Sequence, residues 1–336
     1  MNAVAFSEDE LISQFFAPLA GAGGLGLRDD AACFPAPAGA DIVVTVDALV
    51  AGVHFFADDP AGDIARKALR VNLSDLAAKG AAPLGFLLTL AMPAPWPDQL
   101  VPPTGWLGAF AQALGEDAKA YGCPLIGGDT VKTPGPLTLS VTAFGRVPAG
   151  GMVARTGARP GDLIAVTGTI GDAALGLRCR LDPDASWIAM LKPVYREHLA
   201  RRYLLPEPRN AIAGLLGAHG HAGMDVSDGL VGDLEKMMRV SGVSARVALD
   251  AVPLSDAARH AIAAEPALFE SAMTGGDDYE VLLTATPAAM ERLRAEAGAV
   301  GVAISVIGEV LPGTDAVTFS RGGAPMTVSR PSYSHF

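Results

Sequence analysis

PAGGMVARTGARPGDLIAVT, residues 148–167, is where the chain changes character. From Pro148 to Gly161 it is crowded with Gly, Pro and Ala, which interrupt regular structure, and Asp162–Thr167 then opens a new apolar strand. A boundary near residue 150 divides the chain into domains 1–150 and 151–336. Upstream, Asp41–Asp47 (DIVVTVD) reads as a β-branched strand, and 61–80 as a helix with Ile64, Ala68, Leu69, Leu73 and Leu76 on its apolar face. A Pro-rich stretch follows from Pro93 to Pro103, then a helix over Trp106–Tyr121 and strands over Pro124–Gly127 and Leu137–Val147. Downstream, helices are expected over Asp172–Leu181, Trp187–Leu204, Ala211–His219 and Leu230–Val240. Strands are expected near Ala245–Leu249, Tyr279–Ala285, Ile304–Glu309 and Val317–Ser320. Both halves mix the two element types, so the fold class is α+β (mixed α/β) in two domains.

Half of the 336 residues are hydrophobic, enough to bury a substantial core. The 36 acidic and 25 basic side chains leave a net charge of −11, which argues against bulk binding of nucleic acid or anionic lipid. No apolar run reaches the roughly 18 residues that span a bilayer, and Met1–Glu10 lacks the basic-then-apolar layout of a signal peptide. Cys33, Cys123 and Cys179 are odd in number and form no C-x-x-C pair, so neither a disulfide framework nor a zinc site is indicated. A cytoplasmic location with no membrane partner is the simplest expectation.

Six acidic foci fall at expected strand ends, helix starts or, once, inside an apolar helix. Asp29-Asp30 follows a Gly-rich loop, and two adjacent carboxylates repel unless a cation or solvent relieves them. Asp47 ends a strand on the same face as Thr45. Asp75 sits mid-helix, where it serves either as a ligand or as a salt-bridge partner of Lys79 at i+4. Gly127-Gly128-Asp129-Thr130 combines bare backbone with hard oxygen donors, and a tight turn is its alternative. Asp225-Val226-Ser227-Asp228-Gly229 precedes a helix that Ser227 or Asp228 is suited to cap, leaving Asp225 surplus. Gly275-Gly276-Asp277-Asp278-Tyr279-Glu280 repeats the glycines-then-acids arrangement.

Carboxylates in such numbers suit Mg²⁺ bridged to phosphates, with Lys67, Lys79, Lys132 and Arg155 as counter-charges. Phosphoryl transfer depends on positioning and charge neutralisation, so the lack of a nucleophile triad is no obstacle, and no covalent catalytic residue is expected. His54 (AGVHFF), read alone, is either a satisfied core histidine or a site residue. Gly21–Gly26 formally fits G-x-G-x-x-G but follows no strand, and no Walker A motif is present. A non-catalytic protein that binds Mg²⁺ or nucleotide shares these features.

With these residues assembled, the chain resembles the thiamine-monophosphate kinase family, within the superfamily of the aminoimidazole ribonucleotide synthetases. The matching segments are DDAA (29–32), TVDALVAGVHF (45–55), KALRVNLSDLAAKGAAP (67–83), IGGDT (126–130), ARTGARPGD (154–162), DVSDGLVGDL (225–234), GGDDYEVLL (275–283) and YSHF (333–336). The resemblance implies in-line transfer of phosphate from ATP to thiamine monophosphate with several Mg²⁺ ions. It implies metal ligands at Asp30, Thr45, Asp47, Asp75, Asp129, Asp225 and Asp228, and ATP contacts at Gly128, Asp129, Arg155, Ser227 and Phe110. Substrate contacts fall on His54, Asp277 and Tyr333. It further implies a homodimer in which N-terminal mixed sheets pair into a barrel, and a sandwich-like α/β C-terminal domain that completes the nucleotide and substrate site. Another ATP-using member of the superfamily is the nearest alternative. The chain departs from the family pattern at four places: Arg28 for Gly, Val46 for Thr, Phe110 for Tyr and Asp277 for Glu.

Overall fold

The computed structural model describes residues 8–28, 31–33, 35, 38–96 and 103–328. The chain forms two compact units, one of residues 1–76 and 82–150, the other of 77–81 and 151–336.

In the first unit, α1 (Glu8–Leu11) and short helical turns through Leu27 precede β1 (Ala40–Val50), α2 (Ala61–Ala78), β2 (Ala82–Pro93), α3 (Pro103–Ala120), β3 (Leu125–Thr133) and β4 (Thr138–Pro148). The sheet order is β1-β4-β2-β3; β4 is antiparallel to both neighbours, and β2 runs parallel to β3. A parallel pair needs a crossover, and α3 supplies it. The expected apolar face of α2 is the buried one, with Ile64, Ala68, Leu69, Leu73 and Leu76 all at 0–1% exposure beside Phe86, Leu90, Leu139 and Val141 of the sheet. Across the helices, Asp117 of α3 is buried and accepts bonds from Arg66 Nη1 at 2.9 Å and Arg70 Nε at 2.6 Å.

β2 was not expected. APLGFLLTLAMP opens with Pro and Gly and then runs apolar without alternation, the pattern of a strand in the middle of a sheet.

The second unit contains β5 (Leu163–Thr167), α4 (Asp172–Leu181), α5 (Ser186–Ala189), α6 (Pro193–Leu204), α7 (Ala213–His219), β6 (Ala222–Asp225), α8 (Leu230–Ser241) and β7 (Ser244–Ala248). It continues with α9 (Asp256–Ala264), α10 (Leu268–Thr274), β8 (Val281–Ala285), α11 (Pro287–Ala299), β9 (Ile304–Leu311), β10 (Thr318–Arg321) and β11 (Ala324–Pro325). Its seven strands are ordered β11-β10-β7-β9-β5-β8-β6. Both faces are covered. Ile164, Val166 and Leu282 share a core with α8, α9 and α10, while Ala165, Val281 and Leu283 share another with α7 and α11. The expected helix Trp187–Leu204 is two helices, because Pro193 has no amide to donate and starts α6 instead.

Candidate active site

On the first unit's sheet, Thr45 and Asp47 share the face of β1 that looks at α2, as strand alternation requires. Thr45 Oγ1 donates to Asp75 Oδ2, and the Asp47 amide donates to Asn72 Oδ1 at 3.1 Å. Asn72 is anchored in turn through its Nδ2, which donates to the Ala68 carbonyl at 3.1 Å. Asp75 therefore faces oxygen donors of β1, and Lys79 Nζ donates to the Gly223 carbonyl at 2.8 Å. Lys67 is buried, and its Nζ donates to the His54 carbonyl at 2.9 Å.

His54 lies just beyond β1, where its Nδ1 accepts the Val50 amide at 3.0 Å. The lone pair on Nδ1 is thus occupied, which leaves Nε2 to carry the proton of the neutral ring.

Asp129 belongs to a different row. Strand register aligns Asp47 with Val141, Leu88 and Gly128, and aligns Asp129 with Thr89, Ser140 and Ala48. Pleating turns the second row to the opposite face of the sheet. A cavity of about 580 Å³ opens there, lined by Leu87, Thr89, Gly127, Gly128, Asp129 and Thr142 among others. Gly128 has to be glycine, because a Cβ would lie 2.0 Å from the Leu88 carbonyl oxygen.

Phe110 requires a correction. Its ring is fully buried and stacked on Trp106, with centroids 4.9 Å apart and planes 19° apart, so it offers no face to a nucleotide base. Asp30 and Tyr333 lie outside the described residues.

In the second unit two loops close on each other. The Val226 amide donates to the Glu280 carbonyl at 2.8 Å, the Tyr279 amide to Val226 at 2.8 Å, and the Asp277 amide to Ser227 at 2.9 Å. This backbone pairing holds Asp225, Ser227 and Asp228 beside Asp277. Asp225 is buried at the end of β6, and Asp228 receives Lys236 Nζ at 2.6 Å. Neither Ser227 nor Asp228 caps α8: Gly229 is its N-cap, with no side-chain bond. Instead the buried Asp233 carboxylate accepts the amides of Ser227 at 3.1 Å and Asp228 at 3.0 Å. Burial pushes the Asp233 carboxyl above its ordinary value, although the Asp228 amide and Lys236 oppose it. Arg155 sits in an exposed turn, Arg155–Gly157, whose first carbonyl receives Ser241 Oγ at 3.1 Å.

Two acids of the 275–280 loop are structural. Asp278 is buried with its carboxylate on the amides of Gly171 (2.7 Å) and Ala173 (3.3 Å) at the start of α4, and burial raises it well above the ordinary range. Glu280 accepts from Thr167 Oγ1 at 2.7 Å, Arg202 Nη2 at 2.9 Å and Arg209 Nε at 2.6 Å. Arg202 and Arg209, far upstream in sequence, carried no signal of this pairing.

Among the described residues, no three His, Cys, Asp or Glu side chains stand close enough together to hold a metal ion by themselves. The donors around Thr45, Asp47 and Asp75 are nonetheless hard oxygens, and Mg²⁺ commonly takes only one or two carboxylates, completing its shell with water and substrate phosphate. This donor set fits that ion.

Residues 28–147 match the family AIR synthase related protein, N-terminal domain, and residues 159–319 match its C-terminal domain. The fold and its acid-lined loops thus define an AIR synthase related protein of two domains. A thiamine-monophosphate kinase of Caulobacter vibrioides is 41% identical over 318 residues, covering 93% of this chain and 85% of the relative. A solved thiamine-monophosphate kinase from Stenotrophomonas maltophilia is 37% identical with a TM-score of 0.78, covering 89% of this chain and 91% of the other. AaThiL complexed with AMPPCP and TMP matches at 26% identity and a TM-score of 0.76, over 99% and 100% of the two chains. The chain belongs to the thiamine-monophosphate kinase family.

Proposed function

We propose that this chain transfers the γ-phosphoryl group of ATP directly to thiamine monophosphate, giving ADP and thiamine diphosphate. The observation that carries the reading is the pairing of the 225–228 loop with the 275–280 loop, which sets Asp225, Ser227 and Asp228 beside Asp277. The kinase relatives and the family member bound to AMPPCP and TMP support the same chemistry.

In this reading Thr45, Asp47 and Asp75 would hold Mg²⁺ on the α2 face of the first unit's sheet, Asp129 would serve a further ion on the opposite face, and Asp225 and Asp228 would be the ligands that the second unit supplies. When bound there, Mg²⁺ would supply neutralisation of the polyphosphate charge. The chain's own residues do the rest. Gly128 brings bare backbone to ATP, and Arg155 and Ser227 add a cation and a hydroxyl. His54 directs its Nε2–H at the phosphate of the substrate, because Nδ1 is engaged by Val50. Asp277 contacts thiamine monophosphate. A cytoplasmic enzyme agrees with the free cysteines Cys33, Cys123 and Cys179, and no described helix is long and apolar enough to cross a membrane. A homodimer joined through the N-terminal sheets completes the proposal.

Coupled ADP release, with and without thiamine monophosphate and with excess chelator, tests it. ADP formation should require both the acceptor and the divalent ion. Asp75→Asn, which removes charge without changing size, should lower turnover about hundredfold or more with an unchanged circular dichroism spectrum. Faster turnover on a purine intermediate, or nucleotide binding with no ADP formed, would overturn the reading.

A further inference from the structure

The 275–280 loop has an unusual backbone. Asp277 has φ +74° and Tyr279 φ +52°, so two non-glycine residues flanking Asp278 are left-handed. Each such residue is disfavoured by about 1–2 kcal/mol and persists only where the surroundings hold it. The alternation sorts the side chains: Asp278 and Glu280 go inward to full burial, whereas Asp277 and Tyr279 remain partly accessible, and Tyr279 Oη donates to Asp277 Oδ1 at 3.3 Å. Gly276 adds to the constraint, since a Cβ there would lie 2.2 Å from the Ser227 carbonyl oxygen.

What holds the middle of the loop is Asp278. Its carboxylate takes the Gly171 and Ala173 amides, two of the donors that the first turn of α4 leaves without intrahelical partners, and its own carbonyl receives Arg202 Nη2 at 3.4 Å. Gly171 is the N-cap of α4 and has no side chain to do this. We infer that Asp278 is a positioning residue for substrate recognition: by tying the loop to the N-terminus of α4 it fixes the left-handed backbone that presents Asp277 to the thiamine phosphate. The inference rests on the substrate contact proposed for Asp277.

Steady-state kinetics on the full-length enzyme test it, with thiamine monophosphate and ATP varied in turn and melting temperature measured alongside. Asp278→Ala should raise KM for thiamine monophosphate about tenfold or more and change KM for ATP less than about twofold. Asp278→Asn keeps an oxygen for one of the two amides and should recover most of that loss. Because Asp278 acts through Asp277, the double variant D277N/D278A should have the KM of D277N alone. A lower melting temperature with unchanged KM, or additive effects in the double variant, would show a merely structural role. Should D278A fail to fold, D278N decides alone: a KM rise of about threefold confined to thiamine monophosphate is expected, and none overturns the inference. D277N with an unaltered KM would instead sink the underlying substrate reading, whatever Asp278 does.

Discussion

Phe110 is the residue whose role changes most between sequence and structure. The family resemblance implies an ATP contact at Phe110, yet Trp106, Phe110 and Leu114 are spaced at i, i+4 and i+8, the buried stripe of α3. Helical phase was in the sequence and pointed to the core. Phe110→Ala should therefore destabilise the protein by about 3–5 kcal/mol while leaving KM for ATP unchanged in the folded fraction. Urea melts and ATP titration check the two halves, and a large rise in KM for ATP would restore the stacking role. Asp277 shows the reverse case. Asp tolerates left-handed backbone better than most residues, so the replacement of the family's Glu is consistent with the φ of +74° found there. Torsion angles of this kind leave no periodic trace, and only the structure separates outward Asp277 from inward Asp278.

Elements with strong periodicity, such as α2 and α8, were legible because their apolar stripes repeat every three to four residues. β6 and the helices α9, α10 and α11 were not: β6 is four residues long with a glycine inside, and the helices are short, Ala-rich or weakly patterned. The ion pairs joining elements were equally invisible, since Glu280 meets arginines about seventy residues away. Glu280→Ala would leave buried Arg202 with only the half-exposed Glu207 carboxylate, 3.2 Å from its Nη1, and a loss of about 3–5 kcal/mol in denaturant unfolding is expected. A loss below about 1 kcal/mol would mean that water enters to replace Glu280. A second tie joins α4 to α6, where His198 Nε2 meets Asp172 Oδ2 at 3.1 Å. The bond to Asp172 raises His198 above its ordinary 6.5, with burial opposing. Burial would push Asp172 up, but the bonds from His198, Ser255 and Thr169 outweigh it and leave the carboxyl below its ordinary 3.8. The histidine contribution is complete below pH 6.5 and fades as pH rises through the raised value; the aspartate contribution is complete above pH 3.8 and fades as pH falls through the lowered one. His198→Ala should thus lower the melting temperature more at pH 5.5 than at pH 8.5. The difference should stay under about 1 kcal/mol, because the imidazole is 42% exposed and screened by solvent. An equal loss at both values would mean that packing, not charge, accounts for it.

At the scale of the whole molecule, the first unit leaves an apolar surface that a lone chain has little reason to keep. β1 is an edge strand, and Ile42, Val44 and Val46 alternate along one face of it at 37%, 55% and 61% exposure. The opposite face of the same strand carries Thr45 and Asp47 toward α2, so the two faces serve different ends and a one-residue slip would exchange them. Long apolar edges invite pairing with other chains, and proteins that remain single usually blunt them with Lys, Pro or a bulge. The outward row Ile42, Val44, Val46 and Ala48 carries no charge; the one exposed charge of β1, Asp41, lies at its start and accepts the Gly150 amide at 2.8 Å. Val46, where the family pattern frequently has Thr, makes this stripe more apolar, and Thr45 and Asp47 keep their side-chain oxygens on the α2 face. The proposed homodimer would account for the pattern, and Val44→Glu tests it, because a carboxylate placed in such a contact would be buried without a partner. Light scattering after size-exclusion chromatography should find the unsubstituted protein at twice the chain mass of 34.3 kDa, and Val44→Glu shifted toward the single-chain mass by a hundredfold or so weaker association. A variant that keeps the mass of the parent would move the contact away from β1, and a parent that runs as a single chain would remove the dimer altogether.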